Sequence, residues 1–184
     1  MPTDRTLVSK TARVYAETLL HAVSTQGLIL KVSDELEQVL VTLRKNNELG
    51  NALKDRKIPA KTRSDILMEV FAGFNPMLLA VLAVLVERGE VRLLPRINEY
   101  YIQLAEDELD AVIIDVTTKI ELDDSLRALI REKYSAQFGR SVLLREHIDG
   151  SMVGGIVLSA HGRRIDASVN KQLENARNVL SKQW

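Results

Sequence analysis

The chain has 184 residues, 46% hydrophobic, 27% charged and only 4% aromatic, so it can bury a core as one large domain or two small ones, with the aliphatic bias of a helix-rich fold. Its 25 basic and 25 acidic residues cancel, and the balance through Ala105 (14 against 12) differs little from that beyond it (11 against 13), which counts against polyanion binding. The absence of cysteine excludes a disulfide framework, a thiolate metal site and a cysteine nucleophile.

The first hundred residues read as six helices. Ala12, Tyr15, Ala16, Leu19, Leu20 and Val23 recur at helical spacing, with Gly27 as the expected stop. Ser33 is then a candidate N-cap, and Leu36, Val39, Leu40 and Leu43 carry a second helix to Asn46-Asn47. A short third helix covers about Glu48 to Lys54. Pro59 suits the first turn of a fourth, whose apolar stripe is Ile66, Leu67, Val70 and Phe71. Asn75-Pro76 opens a fifth helix that is apolar almost all round, a pattern expected at the centre of a bundle with every face covered. A sixth runs from about Val91 to Leu109, with Leu94, Ile97, Tyr101 and Leu104 on its apolar face.

The periodicity changes at Asp110. Ala111 to Thr117 is a β-branched run suited to a strand. Asp123-Asp124-Ser125 then caps a helix carrying Leu126, Leu129, Ile130, Tyr134 and Phe138, which Gly139 ends. Val142 to Ile148 reads as a second strand. Gly154-Gly155 opens a further one, His161-Gly162-Arg163 reverses the chain, and Ile165-Asp166-Ala167-Ser168 leads into an amphipathic closing helix. The fold expected is mainly α: a six-helix bundle over residues 1–105, followed by a small α/β domain over 106–184. No Gly, Pro or Ser run separates them, so a continuous helix or stiff joint is expected there.

Three groups of residues carry a resemblance to a known family. Ala12 to Leu19, ARVYAETL, is similar to the first-helix pattern of the delta subunit of F-type ATP synthases. Leu85 to Val91, LVERGEV, is similar to the end of its fifth helix, where the family more often has Asn-Gly-Arg; Arg88 and Glu90 depart from that. Ile148-Asp149, Met152-Val153-Gly154-Gly155 and Ile165-Asp166-Ala167-Ser168-Val169 resemble the family's C-terminal signature in unbroken spacing, with Ser159 standing where a basic residue is frequent and His161-Gly162 altering the turn.

That family, which includes the mitochondrial oligomycin-sensitivity-conferring protein, is a non-catalytic stator linker. The resemblance implies that the N-terminal bundle binds the N-terminal helix of one alpha subunit in a groove between the first and fifth helices. It also implies that the C-terminal domain meets the b subunit of the peripheral stalk, both contacts resisting rotor torque. Carried onto this sequence, the alpha-subunit contacts fall on Tyr15, Thr18, Val81 and Val84, with Met77 and Ala80 on the same face of the fifth helix. Val81 and Val84 read equally well as intramolecular core, whereas Thr18 lies off the buried stripe of its helix. On the closing helix Leu173, Ala176 and Leu180 are candidates for the stalk contact or for packing on the sheet.

No catalytic, cofactor or metal constellation emerges. His21, His147 and His161 lack metalloenzyme spacing, and the last two read as surface residues. Asp123-Asp124 reads as a cap rather than an acid–base pair, and Gly154-Gly155 as a close backbone approach rather than a phosphate loop, since neither Lys nor a helix follows. Lys54, Arg56, Lys57, Lys61 and Arg63 read as a solvated helix connection. An RNA-binding helical bundle is the alternative reading, disfavoured by neutral charge and by the absence of interleaved aromatics. The most apolar stretch, Met77 to Val86, is half a membrane span, and the N-terminus lacks an apolar signal core. The expected location is peripheral, on the cytoplasmic face of a bacterial inner membrane, with membrane contact only through the complex.

Overall fold

The computed structural model describes residues 4–23, 25–160 and 163–181. They form eight α-helices and one four-stranded sheet, and the chain divides into two compact units, Met1–Leu109 and Asp110–Trp184.

The first unit holds α1 (Asp4–His21), α2 (Gln26–Lys45), α3 (Asn47–Lys54), α4 (Ala60–Val70), α5 (Pro76–Arg88) and α6 (Leu94–Glu108), the last entered through a 3-10 turn at Val91–Leu93. Ala12, Ala16 and Leu19 are fully buried, and the two alanines let α1 lie close along α6, whose Ile97, Tyr101 and Ala105 are equally inaccessible. The Tyr101 hydroxyl donates to the Ile29 carbonyl at 3.1 Å, tying α6 to α2, and burial together with the nearby Glu35 charge pushes the phenol upward. Glu35 itself is buried because its carboxylate accepts the backbone N–H of Asn75 (2.8 Å) at the N-terminus of α5, where the helix dipole favours an anion. The Asn75 side chain in turn caps α5 by accepting from Met77 N at 2.9 Å.

Three local expectations fail here. The second helix begins at Gln26, not near Ser33, which lies fully buried inside it; Gly27 therefore starts α2 rather than stopping α1. Gly27 falls in a first turn whose N–H groups have no intrahelical acceptor anyway, and burial of Ile29 and Val32 outweighs the glycine penalty of about 1 kcal/mol. Arg63 is not solvated: it is 4% exposed and donates Nη1 to the Leu53 carbonyl at 3.1 Å, closing the last turn of α3. Finally, α5 is not enclosed. Leu78, Leu82, Leu85 and Val86 are buried against its neighbours, while Met77, Ala80 and Val84 face solvent.

The second unit holds β1 (Ala111–Thr118), α7 (Asp124–Phe138), β2 (Ser141–Ile148), β3 (Gly155–Ala160), β4 (Arg163–Ser168) and α8 (Val169–Ser181). The sheet order is β2-β1-β3-β4; β1 and β2 are parallel, joined through α7, and the other pairs are antiparallel. Val112, Ile114, Val116 and Val142 form a core with Leu122, Ile130 and Tyr134. Leu126 and Leu129, expected in that stripe, are exposed: Leu129 sits one residue, or about 100°, from Ile130, and Leu126 lies in the first turn of α7. Asp123 caps α7, accepting from Leu126 N and Ser125 Oγ at 2.7 Å each. α6 does not run on as a continuous helix, because Leu109 caps it and Asp110 adopts a left-handed φ of 45° before β1 begins.

Parallel pairing of β1 and β2 sets Asp115 opposite Arg145. The buried guanidinium donates through Nε to Asp115 Oδ1, and His147 Nε2 lies 3.4 Å from the same oxygen, so His147 is a half-buried partner rather than a plain surface residue. Burial pushes the Asp115 carboxyl up, but hydrogen bonds from His147 and Arg145 outweigh it and hold the group below the usual carboxylate range. A depressed folded-state pKa contributes stability above the unfolded value of about 4, which is lost as pH falls through the folded one. Thermal unfolding followed between about pH 2 and 6 is therefore expected to show a midpoint dropping toward acid in the parent chain and a flatter profile in Asp115→Asn. Parallel profiles would remove the pair from the acid lability of this unit.

α8 follows Ser168, whose Oγ accepts from Lys171 N at 3.2 Å as a cap. Leu173 is 63% exposed and Ala176 is also exposed, so neither packs on the sheet; the Leu180 side chain and the His161-Gly162 turn lie outside the described residues.

Candidate protein-docking groove

α1 and α5 border a groove of about 500 Å³. Thr11, Val14, Tyr15 and Thr18 line one wall, and Ala80, Val81 and Val84 line the other, with Lys10 and Arg88 completing it. The groove exists because each helix has a second stripe. On α1 the buried stripe of Ala12, Ala16 and Leu19 faces α6, and Thr11, Val14 and Thr18 repeat at i, i+3 and i+7 beside it. On α5 the buried Leu78, Leu82 and Leu85 leave Ala80, Val81 and Val84 on the neighbouring face.

Tyr15, Thr18, Val81 and Val84 are thus brought together in one cleft, and none is fully buried. Met77 is 51% exposed but does not line it. Val14, at 59% exposure, is the apolar residue that sequence reasoning passed over; its spacing of three from Thr11 and four from Thr18 was the available signal. Exposed valines on facing helices, 59% at Val14 and 41% at Val84, are apolar surface that the chain itself leaves uncovered.

Polar groups along the groove are mostly satisfied locally. Thr18 Oγ1 donates to the Val14 carbonyl at 2.7 Å, so that hydroxyl makes no further demand on a partner. Tyr15 was expected within the core stripe but stands half-buried at its edge, because its hydroxyl has two partners outside the core. It donates to Glu90 Oε2 and accepts from Arg88 Nη1, both at 3.1 Å. Gly89 makes this possible. With φ 69° it is the left-handed cap of α5, and Glu90 N returns to the Leu85 carbonyl at 2.8 Å. That turn sets Arg88 and Glu90 on either side of the phenol and holds the Tyr15 ring as a fixed wall.

The second unit has apolar clefts of its own. One, about 460 Å³, lies between α7 and the β3–β4 hairpin and is lined by Tyr134, Phe138, Leu158 and Ile165; another, about 590 Å³, is lined by Ile120, Leu126, Val153 and Ile156. Among the described residues no cluster of three His, Asp or Glu side chains could hold a metal, and no helix is long and apolar enough to cross a membrane.

The model of the family described as ATP synthase delta (OSCP) subunit matches residues 11–180. The chain is 28% identical over 163 residues to ATP synthase subunit delta of Moorella thermoacetica, covering 89% of this chain and 92% of that one. It is 29% identical over 178 residues to the same subunit of a Prochlorococcus marinus strain, covering 96% and 99%. Its fold is similar to that of a chain in the Toxoplasma gondii mitochondrial ATP synthase hexamer, with a TM-score of 0.52 at 17% identity over 92% and 96% of the two chains.

Proposed function

The chain belongs to the ATP synthase delta (OSCP) subunit family, and on that premise we propose that its α1–α5 groove seats the N-terminal helix of an alpha subunit. It is a non-catalytic stator subunit of the F-type ATP synthase, associated peripherally with the complex, and nothing favours RNA binding. The first unit, which ends at Leu109 rather than at the expected 105 because α6 runs to Glu108, is the alpha-subunit-binding part, and the second is the part that meets the b subunit of the peripheral stalk, on the cytoplasmic face of a bacterial inner membrane. The chain's work is mechanical. Two non-covalent contacts hold the catalytic head against rotor torque, so what each must supply is affinity and stiffness rather than reactive groups.

The observation that carries the alpha-subunit reading is the groove itself: two helices presenting uncovered Val14 and Val84 across an apolar cleft that also contains Tyr15, Thr18 and Val81. An amphipathic helix with anchors at i, i+3, i+4 and i+7 matches such a cleft. For the stalk contact, exposed Leu173 on α8 and the exposed Ile120, Leu126 and Val153 around the second cleft supply apolar surface.

Calorimetric titration of the full chain with a peptide of the host alpha subunit's first roughly twenty residues, about 30 Å of helix, tests the reading. Saturable 1:1 binding is expected. A well-folded chain that takes up no peptide would overturn the groove assignment.

A further inference from the structure

Two cations line the α1–α5 groove, Lys10 and Arg88, and no carboxylate lines it. Elsewhere on the same helix Arg13 finds an intrachain partner, pairing with Glu17 at 2.8 Å. Among the described residues Lys10 and Arg88 make no such ion pair. Arg88 stands in the last turn of α5, where a cation complements the helix dipole, yet its Nη1 is directed to the Tyr15 hydroxyl on the opposite wall rather than to a terminal carbonyl. Glu90 accepts a hydrogen bond from the same hydroxyl and lies near enough for its charge to act on Arg88, but it forms no direct ion pair with it. The phenol is therefore saturated and the guanidinium retains donors free for another acceptor. The result is an apolar cleft whose wall carries two cations, neither held in a direct ion pair among the described residues.

Resting on the groove assignment above, we infer that the cleft selects a helix of defined charge pattern: an apolar face flanked by Asp or Glu side chains that reach Arg88 and Lys10. The apolar contacts supply the bulk of the affinity. The two cations orient the incoming helix, speed its encounter, and exclude an apolar helix flanked by Lys or Arg. Arg88 is the stronger reader of the two, since its planar fork offers paired donors to a carboxylate and Tyr15 holds it in place.

The first check needs only the host alpha subunit's sequence: an N-terminal helix with no Asp or Glu beside its apolar face overturns the inference. The second is titration of the full chain with that peptide and with a version whose carboxylates are changed to amides. Raising salt from about 50 to about 300 mM is expected to weaken binding of the parent peptide roughly tenfold. The combined Arg88→Gln and Lys10→Gln variant, both sites being on the surface, should lose a similar factor at low salt, along with most of the salt dependence. The amidated peptide should bind the parent chain and the variant alike. Equal affinity of the parent peptide for both chains, with no salt dependence, overturns the charge reading and leaves the groove assignment standing. No binding by the parent chain at any salt overturns the groove assignment itself.

Discussion

Val84→Asp is expected to weaken binding of the alpha-subunit N-terminal peptide by about 100-fold or more while leaving the chain folded. Val84 is 41% exposed, so a carboxylate there remains hydrated in the free protein and disturbs little. Seating an apolar helix over the groove would strip that water from the carboxylate, and pairing with Arg88 one turn on would only partly offset the desolvation, at a net cost on the order of 3 kcal/mol, which is about two decades in affinity. Tyr15→Asp should weaken binding as well, but it also breaks the hydrogen bonds to Glu90 and Arg88, so Val84 is the cleaner site. Titration calorimetry with circular dichroism on the same samples separates the two effects. A folded Val84→Asp chain with parental affinity would move the docking site off this groove.

Gly155→Val is expected to unfold the sheet of the second unit or to cost it about 3 kcal/mol or more. Gly155 opens β3 with φ 87°, a conformation that side-chain-bearing residues adopt only under strain. It also pairs with Ser168 across the β3–β4 ladder so closely that a Cβ would stand 2.5 Å from the Ala167 carbonyl oxygen and 2.8 Å from Ser168 Cα. Both are backbone atoms and cannot rotate aside, so strand pairing must open instead. Amide hydrogen exchange of β3 and β4 is the direct readout, with protection expected to collapse in the variant. Protection equal to the parent's would mean that the hairpin accommodates a side chain there without opening. Because α8 starts immediately after Ser168, the same variant should also loosen that helix, and with it the exposed Leu173 surface proposed for the stalk contact.

Local chemistry is where the sequence could be read directly. Asn75-Pro76 starts α5, Asp123 caps α7, Gly139 ends it, and the β-branched run after Asp110 is β1, because each depends on interactions within a few residues along the chain. The Gly154-Gly155 pair also announces a close backbone approach, although the strand it approaches becomes visible only in the folded ladder. Reading glycine as punctuation failed at Gly27, where burial of Ile29 and Val32 against distant apolar partners outweighed the glycine penalty and extended α2 upstream.

What the sequence by itself determined is the set of elements, the mainly helical order followed by a small sheet, and the family signature, since period, caps and spacing are properties of neighbouring residues. Tertiary structure alone decided which side of each helix stays uncovered. α5 is apolar almost all round, and only the positions of its neighbours bury Leu82 while exposing Val84. It likewise decided that Arg63 closes α3, that Asp115 meets Arg145 across parallel strands 30 residues apart, and that Tyr15 is clamped by residues 73 and 75 positions away. Such contacts are set by how elements pack in space, and sequence separation carries no signal for them.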